Sequence, residues 1–219
     1  MPLAVVTGAN RGIGLELVKK LKTDFSVLAC CRKASPELRQ LEAQVLEEIE
    51  VTKEEAKERI VRALEGREID LLIQNAGIFR KTSLEELNLD GIREQFEVNA
   101  LAPLRLTKDL LPSMNKNSKV IFITSRMGSI EDNSSGGSYG YRMSKSALNM
   151  AARSLSHDLR DQKISVATIH PGFVRTDMTD GAGNLEAGEA AEAILQVIKG
   201  LGLSTSGRFW HSNGEELPW

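Results

Sequence analysis

Short apolar runs alternate with longer amphipathic stretches along most of the chain. The runs are rich in Val, Ile and Leu, as strands buried in a parallel sheet are, and they predict strands at residues 3–7, 25–31, 45–51, 69–73, 119–125, 164–170 and 207–211. In the stretches between them, apolar residues recur at helical spacing and predict helices at residues 13–21, 53–64, 91–111 and 189–198. Two further helices are predicted to begin at Ser35 and to carry Tyr141 as far as about Asp161. This alternation predicts an α/β fold, a doubly wound parallel sheet flanked by helices.

Some of these elements carry weaker signals than the rest. Three glutamates, Glu47, Glu48 and Glu50, interrupt the strand predicted at residues 45–51. Pro103 lies within the helix predicted at residues 91–111 and is expected to kink it. The charged residues around the helix at 53–64 are interpreted as its solvated face, so they imply no acidic binding partner.

A glycine-rich turn follows the first strand directly. Gly8, Gly12 and Gly14 lie between that strand and the first helix. Glycines let the backbone approach a pyrophosphate closely, and a helix N-terminus offers free N–H groups to an anion. The alternative is a glycine-rich turn without a ligand, but the position after the first strand favours a dinucleotide site.

The end of the second strand bears on which nucleotide would bind. An acidic residue there favours the free ribose of NAD(H), whereas a nearby arginine accommodates the 2′-phosphate of NADP(H). Here the strand ends in Arg32 and Lys33 with no acid, and Arg11 in the glycine turn adds a second basic position. Either arginine alone is compatible with an ordinary surface residue, but together they predict NADP(H).

Candidate chemistry centres on Tyr141 and Lys145, which are four residues apart on one helix face. A phenol beside an ammonium is a candidate proton donor and acceptor, although such pairs also occur as solvated surface residues. Ser125 stands at the carboxyl end of the fifth strand, where ligands of open α/β sheets sit. Asn99 lies among apolar neighbours and must be hydrogen-bonded if buried, either to backbone or as part of a polar relay.

Composition narrows the class of protein further. A formal net charge of -2 and a pI near 6.0 give no reason to expect nucleic acid or an anionic membrane as partner. No apolar run is long enough to span a membrane, and the N-terminal stretch lacks signal-peptide features, which together predict a cytoplasmic protein. Adjacent Cys30 and Cys31 are interpreted as reduced packing residues. The histidines show no metal-ligand spacing, so no metal is expected.

In their order along the chain, these motifs resemble those of the short-chain dehydrogenases/reductases. The resemblance rests on the glycine turn, Asn75-Ala76-Gly77, Asn99, Ser125 with Tyr141 and Lys145, and Pro171-Gly172 with Thr176. It implies one Rossmann-fold domain over residues 1–219, with seven strands in the order 3-2-1-4-5-6-7 and a short substrate loop near 176–188. The short length and the ending Asn213 to Trp219 resemble the branch of C-factor and sniffer-type carbonyl reductases.

The resemblance also implies roles for individual residues. Tyr141 would be the catalytic acid/base, and Ser125 would orient and polarise the substrate carbonyl. Lys145 would bind the nicotinamide ribose and, with the charge of the oxidised nicotinamide, lower the Tyr141 pKa, while Asn99 would hold a relay water. The implied NADP(H)-binding residues are Gly8, Asn10, Arg11, Gly12, Ile13, Gly14, Arg32, Val51, Asn75, Ala76, Gly77, Tyr141, Lys145, Pro171, Gly172, Val174 and Thr176. Gln74 and Glu50 depart from the usual family pattern; Gln74 is expected beside the cofactor, and a contact of Glu50 with adenine is left open.

The function implied is NADPH-dependent reduction of a ketone or aldehyde, with the substrate in an apolar pocket. The pocket residues expected are Phe79, Met127, Phe173 and Met178, with Ile78 and Ile130 beside them, and each is equally compatible with plain core. One alternative is an NADP-binding sensor or scaffold without turnover. Another is a nucleotide-sugar epimerase or dehydratase, although such relatives usually carry a further C-terminal domain.

Family members commonly pair through the helices that carry the Asn and Tyr motifs, so a homodimer or homotetramer is expected. Leu148, Ala151, Ala152 and Leu155 give the second of these helices an apolar stripe. The alternative is that this stripe faces the chain's own sheet.

Overall fold

Seven parallel strands form one sheet in the order β3-β2-β1-β4-β5-β6-β7, as the sequence predicts. The computed structural model describes residues 1–219. The strands are β1 (Leu3–Thr7), β2 (Ser26–Cys30), β3 (Gln44–Leu46), β4 (Ile69–Gln74), β5 (Met114–Ile123), β6 (Ser165–His170) and β7 (Arg208–His211). The order of the strands reverses between β1 and β4, and ligands of open α/β sheets bind at such a switch point.

Helices cover both faces of the sheet. They are α1 (Gly12–Leu21), α2 (Pro36–Arg39), α3 (Glu55–Leu64), α4 (Leu89–Phe96), α5 (Ala102–Leu110), α6 (Tyr139–Asp158) and α7 (Ala187–Gly200). One core of 22 buried residues lies between the sheet and α3, α5 and α6, and a second of 22 lies on the face covered by α1 and α7. Burial of each such aliphatic side chain, for example Leu17 or Ile60, contributes about 1.5–3 kcal/mol to the stability of the folded state. None of the helices combines the length and apolarity that a membrane span needs.

Several predicted boundaries were wrong. Strand β3 ends at Leu46 and not at residue 51, because Glu48 takes a left-handed backbone conformation (φ 58°) that no strand can continue through. The helix at Ser35 is a single turn, α7 begins at Ala187, and α6 ends at Asp158.

The long helix predicted at residues 91–111 is interrupted. A π-helical turn, Glu97–Leu101, separates α4 from α5, and Asn99 lies within it. The backbone stays helical from α4 through this turn into α5, so Pro103 lies inside a continuous helix and has no N–H to donate to the Asn99 carbonyl four residues earlier. The irregularity at Asn99 therefore lies where the proline is expected to disturb the helix.

The apolar stripe on α6 faces the chain's own sheet. Leu148, Ala152 and Leu155 are buried within the first core, which is the alternative that the periodicity left open. The side chains that α6 exposes to solvent include Met143 and Met150, which are 49% and 68% exposed. This stripe therefore provides no argument for an oligomer.

Candidate active site

The glycine turn between β1 and α1 is too closely packed to accept a Cβ at Gly8 or Gly14. Gly8 and Gly12 have φ angles of +67° and +53°, which L-residues rarely adopt. A Cβ on Gly14 would lie 2.2 Å from the Gly8 carbonyl oxygen, and one on Gly8 would lie 2.9 Å from the Ala76 Cα. The glycines thus allow the turn to pack directly on the segment that follows β4.

Hydrogen bonds tie this turn to the Asn75-Ala76-Gly77 segment. The Thr7 hydroxyl accepts from the N–H groups of Asn75 (3.0 Å) and Ala76 (3.2 Å), and the Asn75 amide donates to the carbonyls of Thr7 and Gly8, both at 3.1 Å. The carboxyl ends of β1 and β4 are therefore fastened together. The sequence analysis missed this role of Thr7, which only strand adjacency reveals.

Gln74 was expected beside the cofactor but is buried beneath this turn, at 4% exposure. Its side-chain oxygen accepts from the Thr7 hydroxyl at 3.3 Å, and its amide donates to Thr107 at 3.3 Å. Gln74 therefore supports the turn from the core side and links it to α5.

The N-terminus of α1 is free to bind an anion. No side chain caps it, and Arg11 at the N-cap has an extended backbone, so its first N–H groups have no protein partner. A closely packed glycine turn together with an uncapped helix N-terminus fits the pyrophosphate of a dinucleotide. Asn10 and Ile13, both partly exposed, lie in the same segment.

The two basic residues predicted to read the 2′-phosphate differ in their surroundings. The Arg11 guanidinium pairs with Asp177, an exposed contact that joins the glycine turn to the segment after β6. Arg32 is exposed immediately after β2 and forms no ion pair. Arg32 is therefore the more available of the two to an added phosphate.

Three candidate catalytic side chains meet beyond the carboxyl end of β5. The Lys145 ammonium is buried, donates to the Ile123 carbonyl at 2.9 Å, and lies 5.7 Å from the Tyr141 ring centroid. Burial lowers the pKa of Lys145 to about 8. Burial raises the pKa of the Tyr141 phenol to about 12, while a hydrogen bond with Ser125 acts in the opposite direction. The predicted lowering of the Tyr141 pKa is thus not a property of the protein alone.

The Asn99 side chain is fully engaged with protein groups. Its amide donates to the Ile78 carbonyl (2.9 Å) and the Ser144 hydroxyl (3.0 Å), and its oxygen accepts from the Ile78 N–H (2.8 Å). Ser144 in turn donates to the Tyr141 carbonyl at 2.8 Å. A Cβ on Gly77 would lie 3.3 Å from the Asn99 oxygen and 3.7 Å from the Lys145 nitrogen. Asn99 thus fixes the segment after β4, at Ile78, beside Lys145, and Ser144 contributes to this arrangement although no sequence motif indicates it.

The segment after β6 approaches the glycine turn from the other side. Pro171 and Val174 are buried, and Gly172 adopts a positive φ of 92° beside Leu185. The Thr176 methyl group would lie 3.3 Å from a Cβ on Gly12, so the two segments nearly touch. Within the loop predicted near 176–188, Thr179 donates to the Val174 carbonyl at 2.9 Å and closes a short turn.

The predicted pocket residues are not part of either core. Phe79 and Met127 are partly exposed, and Phe173 and Met178 are 52% and 40% exposed. The Phe79 ring contacts the Tyr141 ring edge-on, with centroids 5.1 Å apart. Of the two neighbouring residues, Ile78 is partly exposed and Ile130 is 80% exposed. The plain-core alternative is therefore wrong for this set.

Near the expected adenine end, Val51 and Glu50 lie in the loop beyond β3. Val51 packs partly on the first core, and its carbonyl accepts from Arg105 at 3.1 Å. The Glu50 carboxylate accepts from the Thr52 hydroxyl at 3.3 Å. Nothing in these contacts assigns either residue to a ligand, and the role of Val51 stays a prediction.

Comparison with known proteins identifies the family. A model of the short chain dehydrogenases matches residues 2–186. The chain is a short-chain dehydrogenase/reductase. It therefore belongs to a family of oxidoreductases, as its ordered motifs predict.

Two curated relatives extend along most or all of the chain. The 1-hydroxy-2-glutathionyl-2-methyl-3-butene dehydrogenase of Rhodococcus sp. is 36% identical over the full length of both proteins. The C-signal protein of Myxococcus xanthus is 43% identical over 69% of this chain and 93% of its own.

Among solved structures, the NADPH-bound carbonyl reductase from chicken fatty liver superposes on the whole chain. The TM-score is 0.90 at 30% identity, with all of both chains covered. Likeness to C-signal and to a carbonyl reductase confirms the branch that the sequence resembles. The nucleotide in that structure is also the one that Arg11 and Arg32 predict.

Proposed function

We propose that this short-chain dehydrogenase/reductase uses NADPH to reduce a ketone or aldehyde to an alcohol. The observation that carries the proposal is the meeting of Tyr141, Lys145 and Ser125 beyond β5. The glycine turn and the uncapped α1 provide a fitting dinucleotide cradle on the same edge of the sheet. All residues needed for the chemistry come from this chain.

In this proposal NADPH, when bound, supplies the hydride. Tyr141 donates a proton to the carbonyl oxygen; its raised pKa of about 12 keeps the phenol protonated at neutral pH but also makes it a weaker acid than a free phenol. The Ser125 hydroxyl shares that oxygen, so two donors stabilise the negative charge that develops on it. The Phe79 ring against Tyr141 limits the positions that the phenol adopts.

Lys145 and Asn99 act behind this pair. Lys145 holds the nicotinamide ribose, and its buried charge lowers the phenol pKa once the charge of the oxidised nicotinamide is added. Asn99 would hold a water in a proton relay to Lys145. Its bonds to Ile78 and Ser144 keep the Asn99 side chain in place beside Lys145.

The other predicted cofactor residues keep the same assignments here. Gly8 to Gly14 seat the pyrophosphate, and Asn75 to Gly77 form the wall opposite. Val51 would lie near the adenine, Arg32 would bind the 2′-phosphate, and Val174 and Thr176 would bind the carboxamide, with Pro171 and Gly172 as further cofactor contacts. Residues 1–219 work as one catalytic domain, with the substrate loop at 176–188 and apolar contacts from Phe79, Met127, Phe173 and Met178.

Two relatives favour specific variations on this function. The Rhodococcus relative is named for oxidation of a glutathionyl alcohol, which supports testing NADP+ with thioether alcohols. The name of the C-signal relative favours a second candidate, an NADP-binding signalling or scaffold protein without turnover. The complete Ser125, Tyr141 and Lys145 set argues for the enzyme.

We further propose a homodimer or homotetramer in a reducing cytoplasm. A cavity of about 650 Å³ lies between α5 and α6 on the outer face, lined by Leu101, Leu104 and Leu111 among others. Another copy of this chain would cover those leucines. The free, buried thiols of Cys30 and Cys31 suit a reducing compartment. Light scattering of the purified chain tests the assembly.

A cofactor-paired substrate panel tests the function. Aldehydes and ketones are offered with NADPH or NADH, and alcohols with NADP+, while nicotinamide absorbance is followed. We expect turnover with apolar carbonyls and a preference for NADPH. Tight NADPH binding without turnover of any panel member would instead support the signalling or scaffold candidate.

A further inference from the structure

The segment that follows Ser125, residues 125–132, is called the serine loop here, and its inner end is fastened to α6. The Ser125 hydroxyl accepts from the Met127 N–H at 3.2 Å, within a 3-10 turn at Arg126–Gly128. A Cβ on Gly128 would lie 2.8 Å from the Lys145 backbone, and the Gly128 carbonyl accepts from Ser146 at 2.8 Å. The position of Ser125 thus depends on how this loop is held.

The outer end of the serine loop is held by a residue 90 positions away. A main-chain oxygen of Trp219 accepts three hydrogen bonds, from the Ser129 hydroxyl and from the N–H groups of Ile130 and Glu131, each at 3.0 Å. Ser129 is 3% exposed and also accepts from the Asp132 N–H at 3.1 Å. One oxygen atom of Trp219 therefore binds three consecutive residues of the serine loop.

Trp219 is itself anchored to the edge strand β7. Its ring stacks on Phe209 with centroids 5.5 Å apart and an interplanar angle of 27°. Phe209 is fully buried, and its carbonyl accepts from the Leu217 N–H at 2.7 Å. Leu217 is 6% exposed, so the tail is a packed part of the fold. A chain of contacts therefore runs from β7 through Trp219, which is 39% exposed, to the serine loop.

We propose that Trp219 is a positioning residue for the reaction, holding the serine loop so that Ser125 and Ile130 keep their places at the substrate. The inference rests on the proposed function only in its catalytic part. Loss of the indole would allow the Trp219 main-chain oxygen to move away. The Ser129 hydroxyl and the Ile130 and Glu131 N–H groups would then lose their protein partner. Small displacements of a group that orients the substrate are costly, about 100-fold for 1 Å.

The experiment compares Trp219→Ala, Trp219→Phe and a matched control, Trp210→Ala. The chain has two tryptophans, and Trp210 packs partly against the opposite core, on the α1 and α7 side. Hydrogen exchange measures the Ile130 and Glu131 amides, calorimetry measures NADPH affinity, and initial rates give kcat and KM for the carbonyl.

For Trp219→Ala we expect faster exchange of both amides and a loss in kcat/KM of about 10- to 100-fold, with NADPH affinity within about twofold of the parent. Trp219→Phe restores exchange and rate because stacking on Phe209 is kept. Trp210→Ala lowers thermal stability without changing exchange in the serine loop.

Unchanged exchange at Ile130 and Glu131 in Trp219→Ala would overturn the proposal, whether or not the chain has activity. Faster exchange with unchanged kcat and KM would overturn the catalytic part. If the parent chain itself shows no turnover, the proposed function fails, while the exchange data still decide whether Trp219 holds the loop.

Discussion

The two sides of the candidate active site are built differently. On the cofactor side, the glycine turn and the Asn75-Ala76-Gly77 segment pack backbone against backbone, with gaps too small for a Cβ. On the substrate side, Ile130, Phe173 and Met178 present exposed apolar side chains. The first side tolerates little change, because each position is fixed by a main-chain contact. The second tolerates much more, which suits an open and permissive site.

Between the two sides lies Tyr141, the proposed proton donor, and its removal should give the largest effect. Tyr141→Phe removes the proton donor, so turnover is expected to fall on the order of 1,000-fold while NADPH still binds. Initial rates and a binding titration measure the two quantities. Tyr139→Phe is the matched control, since this other tyrosine has no lysine four residues later. A Tyr141→Phe variant that keeps its turnover would refute the assignment.

The rigidity of the cofactor side is tested by Gly14→Ala. The added methyl group would lie 2.2 Å from the Gly8 carbonyl oxygen, so the turn must shift. We expect a loss of about 1–3 kcal/mol in stability and loss of measurable NADPH binding. Gly202→Ala is the control, because nothing lies within 4 Å of its Cβ position. Equal behaviour of the two variants would contradict the close packing described.

In the protein without cofactor, the buried charge of Lys145 should lower the free energy of unfolding, although the proposed activity needs this residue. Burial lowers its pKa from 10.5 to about 8, so the folded state destabilises the charged form. That cost is present in full below pH 8 and disappears as pH rises from 8 to 10.5, since the unfolded chain binds the extra proton only in this window.

Lys145→Met is therefore expected to abolish turnover yet raise stability at pH 7 by at most about 3 kcal/mol. The unpaired Ile123 carbonyl offsets part of this gain. Urea unfolding at pH 7 and pH 10 measures the difference, which should shrink at the higher pH. Lys108→Met, at a side chain 77% exposed, is the control. A difference that grows with pH would contradict the burial effect.

Cofactor choice separates the two arginines. Arg32→Ser should lower kcat/KM for NADPH by about 10- to 100-fold, the value of a charge-assisted hydrogen bond, with little change for NADH. Arg11→Ser should affect both cofactors alike, because Arg11 is paired with Asp177. Steady-state rates with each nucleotide distinguish the variants. A selective loss of NADPH in Arg11→Ser would reverse the assignment.

The smallest effect is expected on the substrate side. Phe173→Ala removes an apolar surface that is already half exposed, so KM for bulky carbonyls should rise less than tenfold. The kcat should stay near that of the parent, because Phe173 contacts none of the proton-transfer groups described. Val61→Ala, at an exposed residue of α3, is the control. A large fall in kcat would mean that this side is as constrained as the other.

Local sequence patterns were sufficient to predict the parallel sheet and to select the candidate catalytic positions. The glycine turn, the apolar runs and the Tyr141 to Lys145 spacing each depend on neighbouring residues, so a single chain reveals them. The same patterns gave wrong element boundaries where the backbone departs from regular strand or helix geometry. The left-handed Glu48 ended β3 early, and the π-helical turn at Asn99 broke a helix whose periodicity continues through it.

Contacts between distant residues were beyond the sequence. His170 and His211 pair edge-on at 4.9 Å because β6 and β7 are neighbours, although their spacing in the chain indicates nothing. The same holds for the hydrogen bond from the Asn75 N–H to the Thr7 hydroxyl and for the one from Ser129 to the Trp219 main-chain oxygen.

The sequence by itself thus determined the order of the elements, because that order follows from local propensity, and it named the candidate catalytic residues through motifs that resemble those of a known family. Only the tertiary structure decided which arginine is free, which face of α6 is buried, and what holds Ser125 in place. Those outcomes depend on contacts between segments that are far apart in the chain. Local patterns are compatible with several such arrangements, and packing and hydrogen bonding decide which one forms.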